Sequence, residues 1–443
     1  MTELFFGLVN PTGTDLDSVI KKLSDQLRAV GYNARVISLS EMIAEYSSGK
    51  PKKPGEYGRI KFLMEEGTRL RESTKMGDFV ARLALIDIRR KRKTISGDEN
   101  TPATNTAYIL RSFKRKEEVE LFRTVYGKTF NLISVYSPVD KRLDSLAKKI
   151  AKASKRKPER VKHEAQELIT IDAEEEGREL GQNVRDTFPL ADYFVSVQDS
   201  AKLNEQLARL VQLVFGNPYL TPSRGEHAMF MAQAAALRSG DLSRQVGAAI
   251  VSAEGELLAI GCNDVPKFGG GLYWADDPTP KRDIEIGHDS NAKIKQDVLE
   301  EVFHKLRHAG WLNAEVKKCS DEELFRKSTL EKDKFLHDTQ LLDVIEFGRS
   351  LHAEMAALTD AAKRGISVKD SKLFCTTFPC HICARHIVSS GVGEVVYIEP
   401  YPKSRTEELY PDSVAVDAKD LVLTRLNFYP FVGAAPRRYF DFF

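Results

Sequence analysis

Apolar residues in the first half of the chain come in short runs set between longer amphipathic stretches. Residues 4–9 (Leu-Phe-Phe-Gly-Leu-Val) form an unbroken apolar run of strand length, and a glycine turn follows. Leu16, Val19, Ile20, Leu23 and Leu27 then recur at helical spacing. Residues 34–39, 107–110, 130–136 and 192–197 read as four further strands. Strands alternating with helices predict an α/β fold with a parallel, doubly wound sheet.

An amphipathic stretch at 203–215 follows, and Asn217-Pro218 breaks it. We therefore expect a first domain over 1–200, a linker helix and break over 201–220, and a second domain over 221–443. In the second domain the pattern changes. A helix at 226–237 is followed by a loop and strand at 241–251, a turn at Glu254-Gly255 and a returning strand at 256–262. After a long insert at 264–349 comes an Ala/Leu-rich helix holding His352 and Glu354 in its first turn. A short buried strand at 373–377, a helix opened by Pro379 and a strand at 394–398 complete an α-β-β-α-β-α-β order.

The chemistry sits on those last elements. His352-Ala353-Glu354 and Pro379-Cys380-His381-Ile382-Cys383 offer one imidazole and two thiolates. Cys380 and Cys383 are three apart, so they share one helix face, and a helix N-terminus favours the thiolate form. Three such ligands suit Zn2+ with a fourth position open, the pattern of a catalytic site. Glu354 is not needed as a ligand and is placed to move protons. His381 and His386 fall off the metal face.

H-x-E followed by P-C-x-x-C is the signature of the zinc nucleobase deaminases. Residues 240–400 resemble the deoxycytidylate deaminase family in particular, through Ser243-Arg244-Gln245-Val246-Gly247-Ala248, Gly261-Cys262-Asn263, the two metal motifs and Val395-Val396-Tyr397. The whole chain is similar to the bacterial anti-phage dCTP deaminases, which join a P-loop-kinase-like domain to a cytidine-deaminase-like α-β-α domain. The carriers are residues 7–14, Ala107-Tyr108-Ile109-Leu110-Arg111-Ser112, Val265-Pro266-Lys267 with Gly269-Gly270-Gly271, and Ala435-Pro436-Arg437-Arg438-Tyr439. The resemblance implies hydrolytic deamination of deoxycytidine nucleotides, starving phage replication of dCTP. It implies that Asn263 holds the sugar. Arg244, Lys267 and Lys403 are candidate phosphate contacts, with Lys281 and Arg282 available to a triphosphate. Gly269 to Trp274 is expected as a loop over the pocket. His288 with Asp289 could form a second metal site, although a plain loop is the simpler expectation. An RNA or single-stranded DNA cytidine deaminase stays open, as does a nucleotide-sensing binding module.

In the first domain, Gly7, Asn10, Gly13 and Thr14 stand where a phosphate loop belongs, between the first strand and first helix. The pattern is broken, because the lysine position falls on Leu16. Without that lysine, phosphoryl transfer loses a main stabiliser. The domain is expected to bind a regulatory nucleotide or small RNA without turnover, or to be a scaffold. A basic run from Lys148 to Lys162 reads as a solvated helix face, with an RNA or phosphate contact as the sharper alternative. Residues 89–105, rich in Lys, Gly, Thr and Asn, read as a loop.

Composition adds limits. A net charge of +2 over 443 residues gives no global polybasic signal for nucleic acid or membrane. Of five cysteines, two are claimed by metal; Cys262, Cys319 and Cys375 read as free thiols in a reducing cytoplasm. The run at 4–9 is too short for a signal peptide, and no stretch reaches membrane-span length. A homo-oligomer is expected.

Overall fold

The computed structural model describes all residues except 1–2, 48, 176–177, 332–335, 337–338, 340–341, 343, 345–346, 400–403 and 419–420. It separates into two compact units: residues 1–230 with 376–384 and 393–443, and residues 231–375 with 385–392.

The first unit is built on strands β1 (Leu4–Val9), β2 (Asn33–Ser38), β3 (Thr106–Phe113), β4 (Phe130–Tyr136) and β5 (Tyr193–Ser196). They are parallel, in the order β5-β4-β1-β3-β2. Side chains of alternating residues point to opposite faces of a strand, and both faces of β1 are covered. Leu4, Phe6 and Leu8 join Leu16, Val19, Leu23 and Leu27 of the helix Leu16–Ala29 and Leu203, Leu207 and Leu210 of the helix Ser200–Val214. Phe5, on the other face, stacks on Tyr108 and Tyr126. Phe113, Phe122 and Phe130 extend that aromatic layer. Burial on both faces is the doubly wound arrangement that the apolar runs predict.

Gly7 sits inside β1, where a Cβ would lie 2.8 Å from Phe113 and Phe130. Its smallness serves the aromatic layer, so it is no part of a phosphate loop. The expectation of a loop at 89–105 is corrected: the helix Phe79–Ser96 runs through its first half and stops at Gly97, whose φ of 82° ends it. Four of the five cations at 89–93 are ion-paired. Lys91 pairs with Asp87, Arg92 with the buried Glu3 and Arg89 with Glu99.

Strands β6 (Gly247–Val251), β7 (Leu257–Cys262), β8 (Lys372–Cys375), β9 (Glu394–Tyr397), β10 (Val414–Val416) and β11 (Leu426–Pro430) form the second sheet, ordered β10-β11-β9-β8-β6-β7. β6 pairs antiparallel with β7 and β8, whereas β9, β11 and β10 are mutually parallel. Glycines set how close the helices come. A Cβ on Gly247 would lie 1.8 Å from the Ala232 carbonyl oxygen, and one on Gly261 2.3 Å from that of Ala353. The helices Arg224–Ala236 and Ala353–Lys363 therefore pack backbone against strand.

A final strand, β12 (Gly433–Ala434), pairs antiparallel with Tyr193–Phe194 of β5. Glu226 secures it. Its buried carboxylate accepts the Ala434 amide at 2.9 Å, the Ser223 amide at 2.7 Å and the Arg209 guanidinium at 2.6 Å. Burial alone would raise this carboxyl, but Arg209 and the two amides hold it below the usual range.

Candidate metal centre

Two helix starts supply the metal-binding side chains. His352 is the N-cap of the helix Ala353–Lys363, in extended conformation, one residue before the first turn expected for it. Glu354 lies within that turn and is 3% exposed. The second helix, His381–Ser390, begins two residues after Pro379. Cys380 takes the cap: its carbonyl accepts the Ala384 amide at 2.9 Å, and its sulfur accepts the Cys383 amide at 3.4 Å. Phe378 packs on Tyr397 and Phe428, and buried Thr406 donates to the Pro379 carbonyl, so the turn before the cysteines is fixed by core side chains.

One donor atom from each of His352, Cys380 and Cys383 lies within 4.8 Å of the others. That spacing is within the reach of a single ion bonding at ~2.0–2.3 Å. One nitrogen and two sulfurs suit zinc better than calcium or magnesium, which take oxygen ligands. This is the one such group among the described residues. His288 is exposed and Asp289 caps the helix Ser290–His308, accepting the Asn291 amide at 2.8 Å, so the pair is an ordinary loop and cap.

Asn263 is brought beside His352 by a bridge: Asp264 and Leu351 exchange backbone hydrogen bonds at 3.2 and 2.9 Å. Its carboxamide clasps the loop 239–246. The oxygen accepts the Val246 amide at 2.7 Å and the Ser239 hydroxyl at 3.0 Å, and the nitrogen donates to the Arg244 carbonyl at 2.7 Å. One amide hydrogen is left for a ligand. Asp264, buried and accepting the Gly240 and Val265 amides, has its carboxyl pushed up by burial.

Lys267 pairs with Asp277 at 2.5 Å and lines a cavity of about 440 Å³ with Gly270, Gly271, Ala356 and Lys363, along the helix Ala353–Lys363. Neither the metal group nor Glu354 lines it. The triglycine loop borders this cavity through Gly270 and Gly271. Arg282 is engaged by Glu285. Arg244 is exposed, and Lys403 lies outside the described residues. All five cysteines are free of disulfides.

In the first unit, the loop after β1 is already occupied by the protein's own anion. The Thr12 amide donates to Asp172 Oδ2 at 2.7 Å, and Lys114 Nζ joins Asp172 Oδ1 at 2.7 Å to the Asn10 carbonyl at 2.8 Å. The Thr14 hydroxyl turns back to the Pro11 carbonyl. Gly13, at φ 91°, lies against the Arg142 backbone, where a Cβ would meet the carbonyl oxygen at 2.6 Å. Asp172 carries no sequence signal of this role, since it stands 160 residues from Thr12.

Residues 222–399 match the family model described as the cytidine and deoxycytidylate deaminase zinc-binding region. The deoxycytidylate deaminase of Enterobacteria phage T2 is 38% identical over 55 residues, 12% of this chain and 29% of that protein. The human deoxycytidylate deaminase is 23% identical over 219 residues, 49% of this chain and 84% of that protein. The chain thus spans under a third of the phage T2 relative. A dCMP deaminase structure from the cyanophage S-TIM5 aligns at 21% identity, covering 48% of this chain and 99% of that one, with a TM-score of 0.26. No helix among the described residues is long and apolar enough to cross a membrane. The match over residues 222–399 and the His352, Cys380, Cys383 group agree on zinc as the metal of this site.

Proposed function

We propose that the chain is a hydrolase that deaminates free deoxycytidine nucleotides, dCTP or dCMP, to the uracil nucleotides and ammonia. The observation that carries this reading is the His352, Cys380, Cys383 group with buried Glu354 two residues from one ligand. Zinc held there supplies the Lewis acidity that makes water nucleophilic at neutral pH. The chain's own residues do the rest. Glu354 takes a proton from the attacking water and delivers it to N3 of cytosine, then takes the remaining proton of the new C4 hydroxyl and gives it to the leaving amine as the C4–N bond breaks and the carbonyl forms. Its burial keeps bulk water from competing for that proton. Asn263 offers its remaining amide hydrogen to the sugar, held in place by the loop it clasps. Arg244 and Lys403 are the phosphate contacts.

A free nucleotide is favoured over a strand because binding a strand requires a basic groove with stacking residues. The densest basic run, from Lys148 to Lys162, belongs to the first sheet's helices, with Arg156 and Lys162 paired to Glu164 and Asp144. We assign residues 1–200 to a P-loop-kinase-like domain that sets when the deaminase at 221–443 is active, by contacting a nucleotide, an RNA or another copy of the chain. The resemblance in motif order supports a cytoplasmic role in depleting dCTP against phage. The test is a competition among dCMP, dCTP, CTP and a cytosine-containing oligonucleotide, with product separated by chromatography. Faster conversion of the oligonucleotide than of every free nucleotide overturns the reading, and conversion of dCMP alone removes dCTP from it.

A further inference from the structure

The first unit holds a cavity of about 220 Å³ at the carboxyl ends of β1, β2 and β3. β1 and β3 are neighbours whose onward connections leave in opposite directions, β1 toward β2 and β3 past β1 toward β4. Such a reversal opens a crevice at the strand ends, where open α/β sheets bind ligands. The crevice is not lined like a phosphate loop. Asp172 already takes the Thr12 amide and neutralises Lys114, so an incoming phosphate at the loop would meet a buried carboxylate.

The walls away from that loop are of two kinds. Leu63 and Met64, from the helix Gly55–Thr74, give an apolar face. Arg59, Arg111 and Lys149 stand at the rim. Arg59 pairs with Glu56, and Arg111 with Asp17, whose side chain is 74% exposed. Exposed pairs of this kind are held by only ~0–1 kcal/mol, so an anion can exchange for the carboxylate. Gln182 also lines the cavity. It is 7% exposed, and its carboxamide oxygen is buried without a hydrogen-bond partner. Leaving such an acceptor unmade costs ~1–3 kcal/mol, which a ligand's N–H donor would recover.

We propose that this cavity is a mononucleotide site, distinct from the metal centre, in which the base lies on Leu63 and Met64 and donates an N–H to Gln182. The phosphates lie at the open rim on Arg59, Arg111 and Lys149, so the site discriminates by base more than by phosphate number. The volume admits one base with part of its sugar, and the rim leaves the phosphates half in solvent. This gives the regulatory nucleotide of the preceding section an address, but the binding claim stands without the deaminase reading.

The experiment uses the full chain with zinc and four nucleotides that carry no cytosine: dTTP, dATP, dGTP and dUTP. Calorimetric titration is expected to show at least one binding at one site per chain, with a Kd on the order of 1–100 μM. Gln182→Leu should weaken that nucleotide tenfold or more, and Leu63→Trp should fill the cavity and abolish binding, each with an unchanged circular dichroism spectrum. If Leu63→Trp does not fold, Gln182→Leu decides. Absence of binding below 1 mM for all four, or binding unaffected by Gln182→Leu, overturns the proposal. Glu354→Ala should bind as the parent does, so a failure of deamination and a failure of this site are read separately.

Discussion

Tyr397, on β9, donates its phenolic hydrogen to the Asp417 carboxylate at 2.8 Å. Tyr136, on β4, reaches the other oxygen of the same carboxylate, and the two phenols are 3.2 Å apart. One carboxyl thus ties a strand of the first sheet to a strand of the second, within the first unit. Part of the Asp417 residue remains exposed, but its carboxylate is enclosed by both rings, and burial pushes it up to about 6 against the two hydrogen bonds that lower it.

The sign of the pH dependence follows. A carboxyl raised from 3.8 to about 6 on folding stabilises the protein most below pH 3.8 and loses that contribution as pH rises to about 6. At about 1.4 kcal/mol for each tenfold, the loss is up to ~3 kcal/mol. Asp417→Asn should flatten this part of the stability curve between pH 4 and 6.5 and raise stability at pH 7. The backbone there is left-handed, at φ 55°, which asparagine adopts as readily as aspartate. Denaturant titrations at intervals across that range check it; an unchanged slope would discard the assignment.

Glu354→Ala should leave zinc bound and reduce deamination by ~10²-fold or more, since the role proposed for it is to move protons and not to hold the metal. Cys380→Ala or Cys383→Ala should lose both metal and activity. Metal analysis of the purified variants decides it. Comparable zinc loss in the glutamate variant would show that its role is structural.

No appreciable hydrolysis of ATP or GTP is expected from the intact chain. Leu16 is 3% exposed in the core where a phosphate-binding lysine would stand, and the Thr12 amide is spent on Asp172. Phosphate release measured on the whole protein should stay at the buffer level. Steady turnover would mean that Asp172 swings away and that the loop opens.

Gly247→Ala should destabilise by ~3 kcal/mol or more, because its methyl group would meet the Ala232 carbonyl oxygen at 1.8 Å and neither helix nor strand can yield cheaply. Gly97→Ala is the control. That position, unlike Gly247, has positive φ, 82°, with open space around it, and should lose only ~1–2 kcal/mol. Thermal unfolding of both variants separates a steric cause from a backbone one.

What the sequence disclosed and what it hid have physical reasons. Apolar runs such as 4–9 and 130–136 are buried on both faces, so each reads as a strand without any knowledge of its neighbours. The metal motifs are local, and spacing alone places their donors at two helix starts. The helix Phe79–Ser96 was hidden because its cationic stretch is stabilised by partners as distant as Glu3, 89 residues away. β10, β11 and β12 are short and end in polar turns, and β12 pairs only because β5 offers it an edge. Asn263 reads as a sugar contact from its motif, whereas most of its hydrogen-bonding capacity is spent on the loop 239–246, which no spacing announces.

The pairing of β12 with β5 also bears on how the protein is made. Tyr193 and Phe194 leave the ribosome some 240 positions before Gly433 and Ala434, an interval of on the order of tens of seconds at ~5–20 residues per second. Throughout that time the nascent first sheet presents a bare, apolar strand edge, open to mispairing with another nascent chain. Glu226 emerges early with Arg209 already beside it, so the receptor for the returning strand is assembled before the strand arrives. Expression of residues 1–200 alone would make that unprotected interval permanent.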